Sequence, residues 1–280
     1  MLNKEENIFA SKWAYVPEHI PDYFCFFSDA DPFLDHDLIY YTHSGGMNII
    51  AYPLTPDSSR PGLIDHITSL AGKFKPRSIK TISPVQLNIS GYKPGISEKD
   101  FYSCLELDRI SKNAKLRNML KRASADVYVS RTGSFTKEHL LILSDFIKIK
   151  KFDLEKAAFF HRLPDYLAQS PGSLIIEARF IKDQRLAGFT VFESGLGDYG
   201  FYLFNISANE SRKIPGINDL LLDGAINEIK ALGKKFINMG LGVNPGIERF
   251  KAKWGAARFL PYHYQYFEPA FSWRSFLKRG

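Results

Sequence analysis

Between residues 173 and 241 the hydrophobic pattern changes period twice, and the order of those changes leaves few folds open. SLIIEARFI (173–181), RLAGFTVFE (185–193) and YGFYLFNI (199–206) are short runs rich in β-branched and aromatic residues, separated by the turn-forming KDQ and SGLGD. They predict a meander, most naturally antiparallel. SRKIPGIN then leads into DLLLDGAINEIKALG. There Leu222, Ala225, Ile226 and Ile229 mark one helical face, and Asp219, Asp223, Asn227 and Lys230 the other. KFINMGL (235–241) returns to a strand. A helix joining two strands of one sheet makes them a parallel pair. A sheet that turns from antiparallel to parallel tends to splay, and α/β proteins hold ligands at such breaks. The break falls at 205–218.

That segment supports two local readings. In one, the free N–H groups and positive dipole end of a helix start form an anion site, reinforced by Arg212 and Lys213. Gly216 would let a phosphate approach the backbone. In the other, Pro215-Gly216 simply begins a helix and both cations are solvated.

The remaining chain reads as α/β (α+β). With 280 residues, 45% apolar and 24% charged, it has the composition of a soluble globular protein with room for two domains, placed at 1–110 and 111–280. Strands are predicted at 22–29, 37–43 and 46–54, the last two joined at Gly45-Gly46. A helix with Pro61 in its first turn ends near Gly72, a strand follows at 78–83, 91–100 reads as loop, and 101–108 reads as a strand linking the halves. Helices are predicted at 136–152 and 154–169, and a final aromatic strand at 259–268. The helix at 111–124 buries Leu116, Met119, Leu120 and Ala123 on one stripe and carries Lys112, Lys115, Arg117, Lys121 and Arg122 elsewhere. Its cations either face solvent or face phosphates.

The net charge of +7 is compatible with an anionic cofactor, a nucleic acid, a membrane surface or a merely solvated basic face. Cys25 and Cys104 form no ligand or disulfide pattern. The acidic stretch 29–37 lacks the glycine and terminal glutamate of a calcium loop and reads as a turn rich in helix-capping acids. His139 and His161 have no partner at ligand spacing, so no metal is expected. The N-terminus lacks the apolar core of a signal peptide and no run reaches the length of a membrane span, which makes a cytoplasmic location the default expectation.

The order of elements in the second half resembles the GNAT acyltransferase fold. That family's pyrophosphate loop is Arg/Gln-x-x-Gly-x-Gly/Ala, and Lys213-Ile-Pro-Gly216-Ile217-Asn218 matches its spacing and central glycine, with lysine and asparagine at the two ends. Over nearly the whole chain the sequence is similar to tandem GNAT-like proteins: the FemAB-type aminoacyl transferases and the domain related to phosphatidylglycerol lysyltransferases. Three segments carry the likeness, namely Leu105-Glu-Leu-Asp108, Lys115-Leu-Arg-Asn-Met-Leu-Lys-Arg122-Ala and Phe250-Lys251-Ala-Lys-Trp254-Gly255. The resemblance implies two tandem GNAT-like domains with mixed sheets flanked by helices, the first trimmed. It implies transfer of an acyl group from acyl-CoA (acetyl-CoA included) or aminoacyl-tRNA to a small-molecule, peptide or lipid amine. An anionic membrane surface is a further partner; double-stranded DNA is not. Phe204, Asn205, Ile206 and Ser207 would line the pantetheine arm, and Arg212, Lys213, Gly216, Ile217 and Asn218 the pyrophosphate. Glu177, Glu193 and Tyr202 are the candidates for base or proton relay, and Lys251 for an electrostatic partner. The altered loop motif keeps a second expectation open, a degenerate protein of this fold that binds a ligand or partner without catalysis.

Overall fold

The computed structural model describes residues 1–55 and 62–270, so Pro61 lies outside the described residues. The chain forms two compact units. Met1–Tyr102, Leu241–Val243 and the C-terminal segment from Arg258 make the first; Ser103–Gly240 and Asn244–Ala257 make the second. The division at Tyr102 differs from a boundary at 110. The C-terminal strand also returns to the first unit, because its residues pair with a strand there.

In the first unit α1 (Lys4–Trp13) and α2 (Pro21–Ser28) precede a hairpin ladder of β1 (Asp31–Asp35), β2 (Leu38–His43) and β3 (Gly46–Ile50). Helix α3 (Leu63–Phe74) crosses to β4 (Ser78–Ser83), which runs parallel to β3, and β5 (Tyr92–Glu106) leaves for the second unit. The strand predicted at 22–29 is therefore a helix. Pro21 occupies its first turn, where a missing N–H costs nothing, and Asp29 closes it in the left-handed region at φ 51°. The stretch predicted as loop at 91–100 is the exposed first part of β5. The acids of 29–37 build β1 and its turn and cap no helix start: Asp29 closes the C-terminal end of α2, and Asp35 bonds His66 of α3 through its side chain.

One face of this sheet packs α3 through Ile67, Leu70 and Ala71, and the other packs the N-terminal helices. A ring of tyrosines surrounds the turn between α1 and α2. Tyr41 donates to the Glu18 carbonyl at 2.7 Å, and Tyr102 donates to the Glu18 carboxylate at 2.9 Å. Burial raises the Glu18 carboxyl from its ordinary 4.5 to about 7. Next to it, fully buried His19 places Nε2 2.9 Å from the Tyr52 carbonyl, and burial pushes it from 6.5 down to about 3.

In the second unit, α4 (Ala114–Ala123) is followed by β6 (Val127–Thr132), a strand the sequence reading lacks. Helices α5 (Lys137–Lys150), α6 (Leu154–His161) and α7 (Leu163–Gln169) come next, the last two divided ahead of Pro164. The meander is β7 (Ser173–Phe180), β8 (Leu186–Glu193) and β9 (Tyr199–Ser207). Helix α8 (Ile217–Ala231), β10 (Phe236–Leu241) and α9 (Pro245–Lys253) complete the unit. Strands β6, β7, β8 and β9 pair antiparallel in turn, and β10 joins β9 in parallel. The core lies between this sheet and α4 and α8, with Leu116, Ile176, Leu222, Ile226 and Trp254 all buried. Strand β11 (Ala257–Pro269) pairs antiparallel with β4. No helix of the described residues is long and apolar enough to cross a membrane.

The two buried groups of the first unit oppose each other in pH. Glu18 has a raised folded pKa, so its contribution is fully present below pH 4.5 and is lost as pH rises through 7. His19 has a depressed one, so its contribution is lost as pH falls below 6.5. Glu18→Gln removes the first titration alone and keeps an acceptor for Tyr102. Urea denaturation should show this variant gaining stability on wild type between pH 4.5 and 7, by on the order of 1–2 kcal/mol. An unchanged difference across that window would show that Glu18 is solvated.

Candidate active site

The parallel register of β9 and β10 covers Tyr199–Phe236, Gly200–Ile237 and Phe201–Asn238. From Tyr202 to Ser207, β9 keeps its pairing with β8 on its other edge. The two strands therefore part at the point where the chain order switches from antiparallel to parallel. Within this stretch Val191 faces Phe204 while Phe192 faces Tyr202, so Leu203 is an extra residue, a β-bulge. The bulge resets the alternation of faces. Tyr202, Asn205 and Ser207 pair with Phe192, Thr190 and Gly188, which share the α8 side, while Phe204 and Ile206 fall on the side of α5 to α7. The Phe204 ring accordingly meets Phe159 and Phe160 of α6 at 5.8 and 5.4 Å.

On the α8 face the Tyr202 hydroxyl lies at the side chains of Asn205 and Thr190, and burial holds its pKa above the usual phenol range. Tyr202 is thus a neutral phenol, able to give a proton but poor at taking one. The Asn205 Oδ1 is buried and has no hydrogen-bond donor among the described residues. Such an atom costs free energy until an N–H reaches it.

Beyond β9 the chain makes a single 3₁₀ turn over Glu210–Lys213, anchored by the buried Ser211 hydroxyl, which donates to the Ala187 and Ala208 carbonyls at 2.6 and 2.8 Å. Arg212 and Lys213 are exposed and have no ion-pair partner among the described residues. Gly216 caps α8 at φ +90°, a left-handed conformation that favours glycine. A Cβ there would lie 2.8 Å from the Met119 carbonyl of α4. The missing side chain thus admits the α4 backbone. Lys115 and Arg122, one turn either side of Met119, are exposed on the helix that meets the loop. Ser207 donates to the Asn218 Oδ1 at 3.1 Å, tying the end of β9 to the first turn of α8.

Asp219, only 3% exposed in that first turn, receives Trp254 Nε1 at 2.9 Å and Lys253 Nζ at 2.6–2.7 Å. These bonds dock the end of α9 on α8. Asn244 caps α9 through the Gly246 and Ile247 N–H groups. Lys251, 3% exposed, donates from Nζ to the Gly240 carbonyl at 2.9 Å, at the end of β10 that diverges from β9.

The two glutamates lie elsewhere. Glu177 on β7 pairs with Phe189, and Glu193 on β8 with Phe201, so both project toward α5 to α7. Glu177 accepts from Arg179 at 2.8 and 3.1 Å, and Arg179 also binds Glu138 at 2.8 Å. Its second oxygen lies 3.6 Å from Nε2 of buried His139, whose pKa burial lowers. Glu193 accepts from Tyr166 at 2.5 Å and from Ser170 at 2.8 Å. A Cβ on Gly172 would sit 1.8 Å from Glu193 Oε1, which accounts for glycine there. Tyr202, Asn205, Ser207, Asn218 and the loop are thus gathered on one face, and Glu177 and Glu193 on the other. The Asp219–Trp254 link escaped the sequence reading; an acid in the first turn after Gly216 and a tryptophan closing α9 were the available signals.

This geometry, a bulged strand parting from its parallel neighbour ahead of a helix N-terminus, belongs to the GNAT-like fold, and the chain carries it in a tandem arrangement. No protein-family model and no curated protein matches the sequence. Among solved structures the chain is similar to FemX (TM-score 0.64, 11% identity, covering 94% of this chain and 96% of that one). It is also similar to L-PGS from Bacillus licheniformis (0.57, 16%, 90% and 88%). A tandem GNAT protein of the clavulanic acid biosynthesis pathway is likewise similar (0.52, 13%, 84% and 79%).

Two substitutions test the docking of the site. Trp254→Ala leaves a cavity and strips Asp219 of a donor, and should cost about 3–5 kcal/mol in urea denaturation. Gly216→Ala meets both an unfavourable φ and the Met119 carbonyl, and should cost about 1–3 kcal/mol. Wild-type stability in either variant would contradict the packing described.

Proposed function

We propose that the chain is an acyl or aminoacyl transferase whose donor lies along β9 from Tyr202 to Ser207, with its phosphates at the start of α8. The observation that carries the reading is the buried, donor-free Asn205 Oδ1 on the diverging edge. An amide N–H of a pantetheine arm, or the amine of an aminoacyl group, supplies what that atom lacks. Arg212 and Lys213, with Lys115 and Arg122 of α4 close by, offer charge for a pyrophosphate or for an RNA backbone.

The reaction forms a C–N bond between the acceptor amine and the acyl carbonyl and breaks the C–S or C–O bond of the donor. The neutral Tyr202 phenol suits protonation of the leaving sulfur or oxygen, and it regains its proton from the acceptor nitrogen as the C–N bond forms. Backbone N–H groups near Ile206 and Ser207 would meet the oxyanion. Lys251, held on the Gly240 carbonyl, positions the end of β10. The acceptor is an amine on a small molecule, peptide or lipid, and tRNA or an anionic membrane surface is a partner in the aminoacyl case. A cytoplasmic site of action accords with such donors. The engagement of Glu177 and Glu193 with Arg179, Tyr166 and Ser170 favours a second reading, a ligand-binding protein of this fold without turnover.

Thermal shift with CoA, acetyl-CoA and longer acyl-CoAs tests the donor site, since a ligand at 100-fold its Kd adds about 2.7 kcal/mol. A gel shift with tRNA at rising salt tests the alternative donor. Failure of both would refute the reading, and binding without product would establish the non-catalytic one. Given turnover, Tyr202→Phe should lower kcat by about 100-fold with an unaltered melting temperature. Lys251→Met, which keeps the buried stem, should lower it by about tenfold through loss of the Gly240 contact.

A further inference from the structure

A cluster outside this site is composed for a metal. Asp35 ends β1, His36 follows in the turn, and His66 stands in the second turn of α3. His36 Nδ1 lies 2.8 Å from Asp35 Oδ1, and His66 Nε2 lies 3.0 Å from Asp35 Oδ2. One ligand atom from each of the three residues falls within 4.8 Å of the others. The chain reaches this arrangement by holding His36 at φ +60°, uncommon for a residue with a side chain. The rings stand edge to face at 5.7 Å, so both nitrogens address one carboxylate from different sides.

We propose that Asp35, His36 and His66 bind one zinc-class divalent ion, with Asp35 contributing one or both oxygens and water completing the shell. Two imidazoles and a carboxylate suit zinc and its neighbours in the first transition row, whereas magnesium and calcium favour all-oxygen shells. On binding, each imidazole moves its proton to the ring nitrogen that faces away, and the ion replaces two N–H···O contacts. The side chains are 34%, 69% and 19% exposed for Asp35, His36 and His66, so the ion has an open path. The ion would staple the first hairpin turn to α3 and take no part in the transferase chemistry of the second unit.

Tag-free full-length protein, stripped with chelator, is titrated with zinc chloride by calorimetry, and its cobalt-loaded form is read by visible absorption. One zinc per chain with micromolar affinity is expected, together with the ligand-field bands of a four- or five-coordinate cobalt site. Asp35→Asn and His66→Gln should each weaken zinc binding by at least about tenfold, and His43→Gln should not. His36→Gln, in an exposed turn, provides a variant whose folding is not in question, and circular dichroism of each metal-free variant checks the others. No zinc uptake, or unchanged affinity in His36→Gln and His66→Gln, overturns the proposal and leaves a hydrogen-bonded triad.

Discussion

The second unit turns on one buried carboxylate. Asp219 sits in the first turn of α8, where the helix dipole favours negative charge, and takes a hydrogen bond from Trp254 and an ion pair from Lys253. Through these two bonds α9 is fixed to α8, and with α9 comes Lys251 on the last carbonyls of β10. Buried charge is costly unless paired. Here the pairing spans two helices distant in sequence, so the loop between β9 and α8 and the end of β10 are set by the same contact.

The first unit shows the opposite use of buried titratable groups. Glu18 and His19 are neighbours in one turn, both desolvated and both drawn toward neutrality. One loses a negative charge and the other a positive one, so between about pH 3 and 7 the ring of tyrosines closes over an uncharged pair. A core rich in phenols tolerates this where the hydroxyls have acceptors: Tyr41 and Tyr102 on Glu18, Tyr52 on Pro261 and Tyr15 on Pro53.

Much of this was legible in the residues. The meander, the helix after it and the parallel strand follow from period alone, because each run is long and bounded by turn residues. The run at 22–29 was not, since its five apolar and aromatic residues fit either period and the proline ahead of them decides. Strand β6 escaped because VYVSRT is short and follows a basic helix without a strong turn signal. The faces of the site residues were the least legible. Glu177 and Glu193 are strand residues like Tyr202, and only the pairing shows that they point to α5 and α7. Lys251, expected as an electrostatic partner, stands in a lysine-rich helix, and nothing in the sequence shows that it is buried with its Nζ on the Gly240 carbonyl at the end of β10.

The bulge at Leu203 has a bearing on how such chains diverge. In a regular strand, residues three apart look in opposite directions, so Tyr202 and Asn205 would be separated by the sheet. One inserted residue puts them on the same side and turns Phe204 and Ile206 toward the helices that need apolar cover. Polar lining and hydrophobic backing are thus exchanged by a single-residue change in length, with no change in composition. Relatives that differ by one position here would keep the same residues in the same order and present the reverse surface to a ligand.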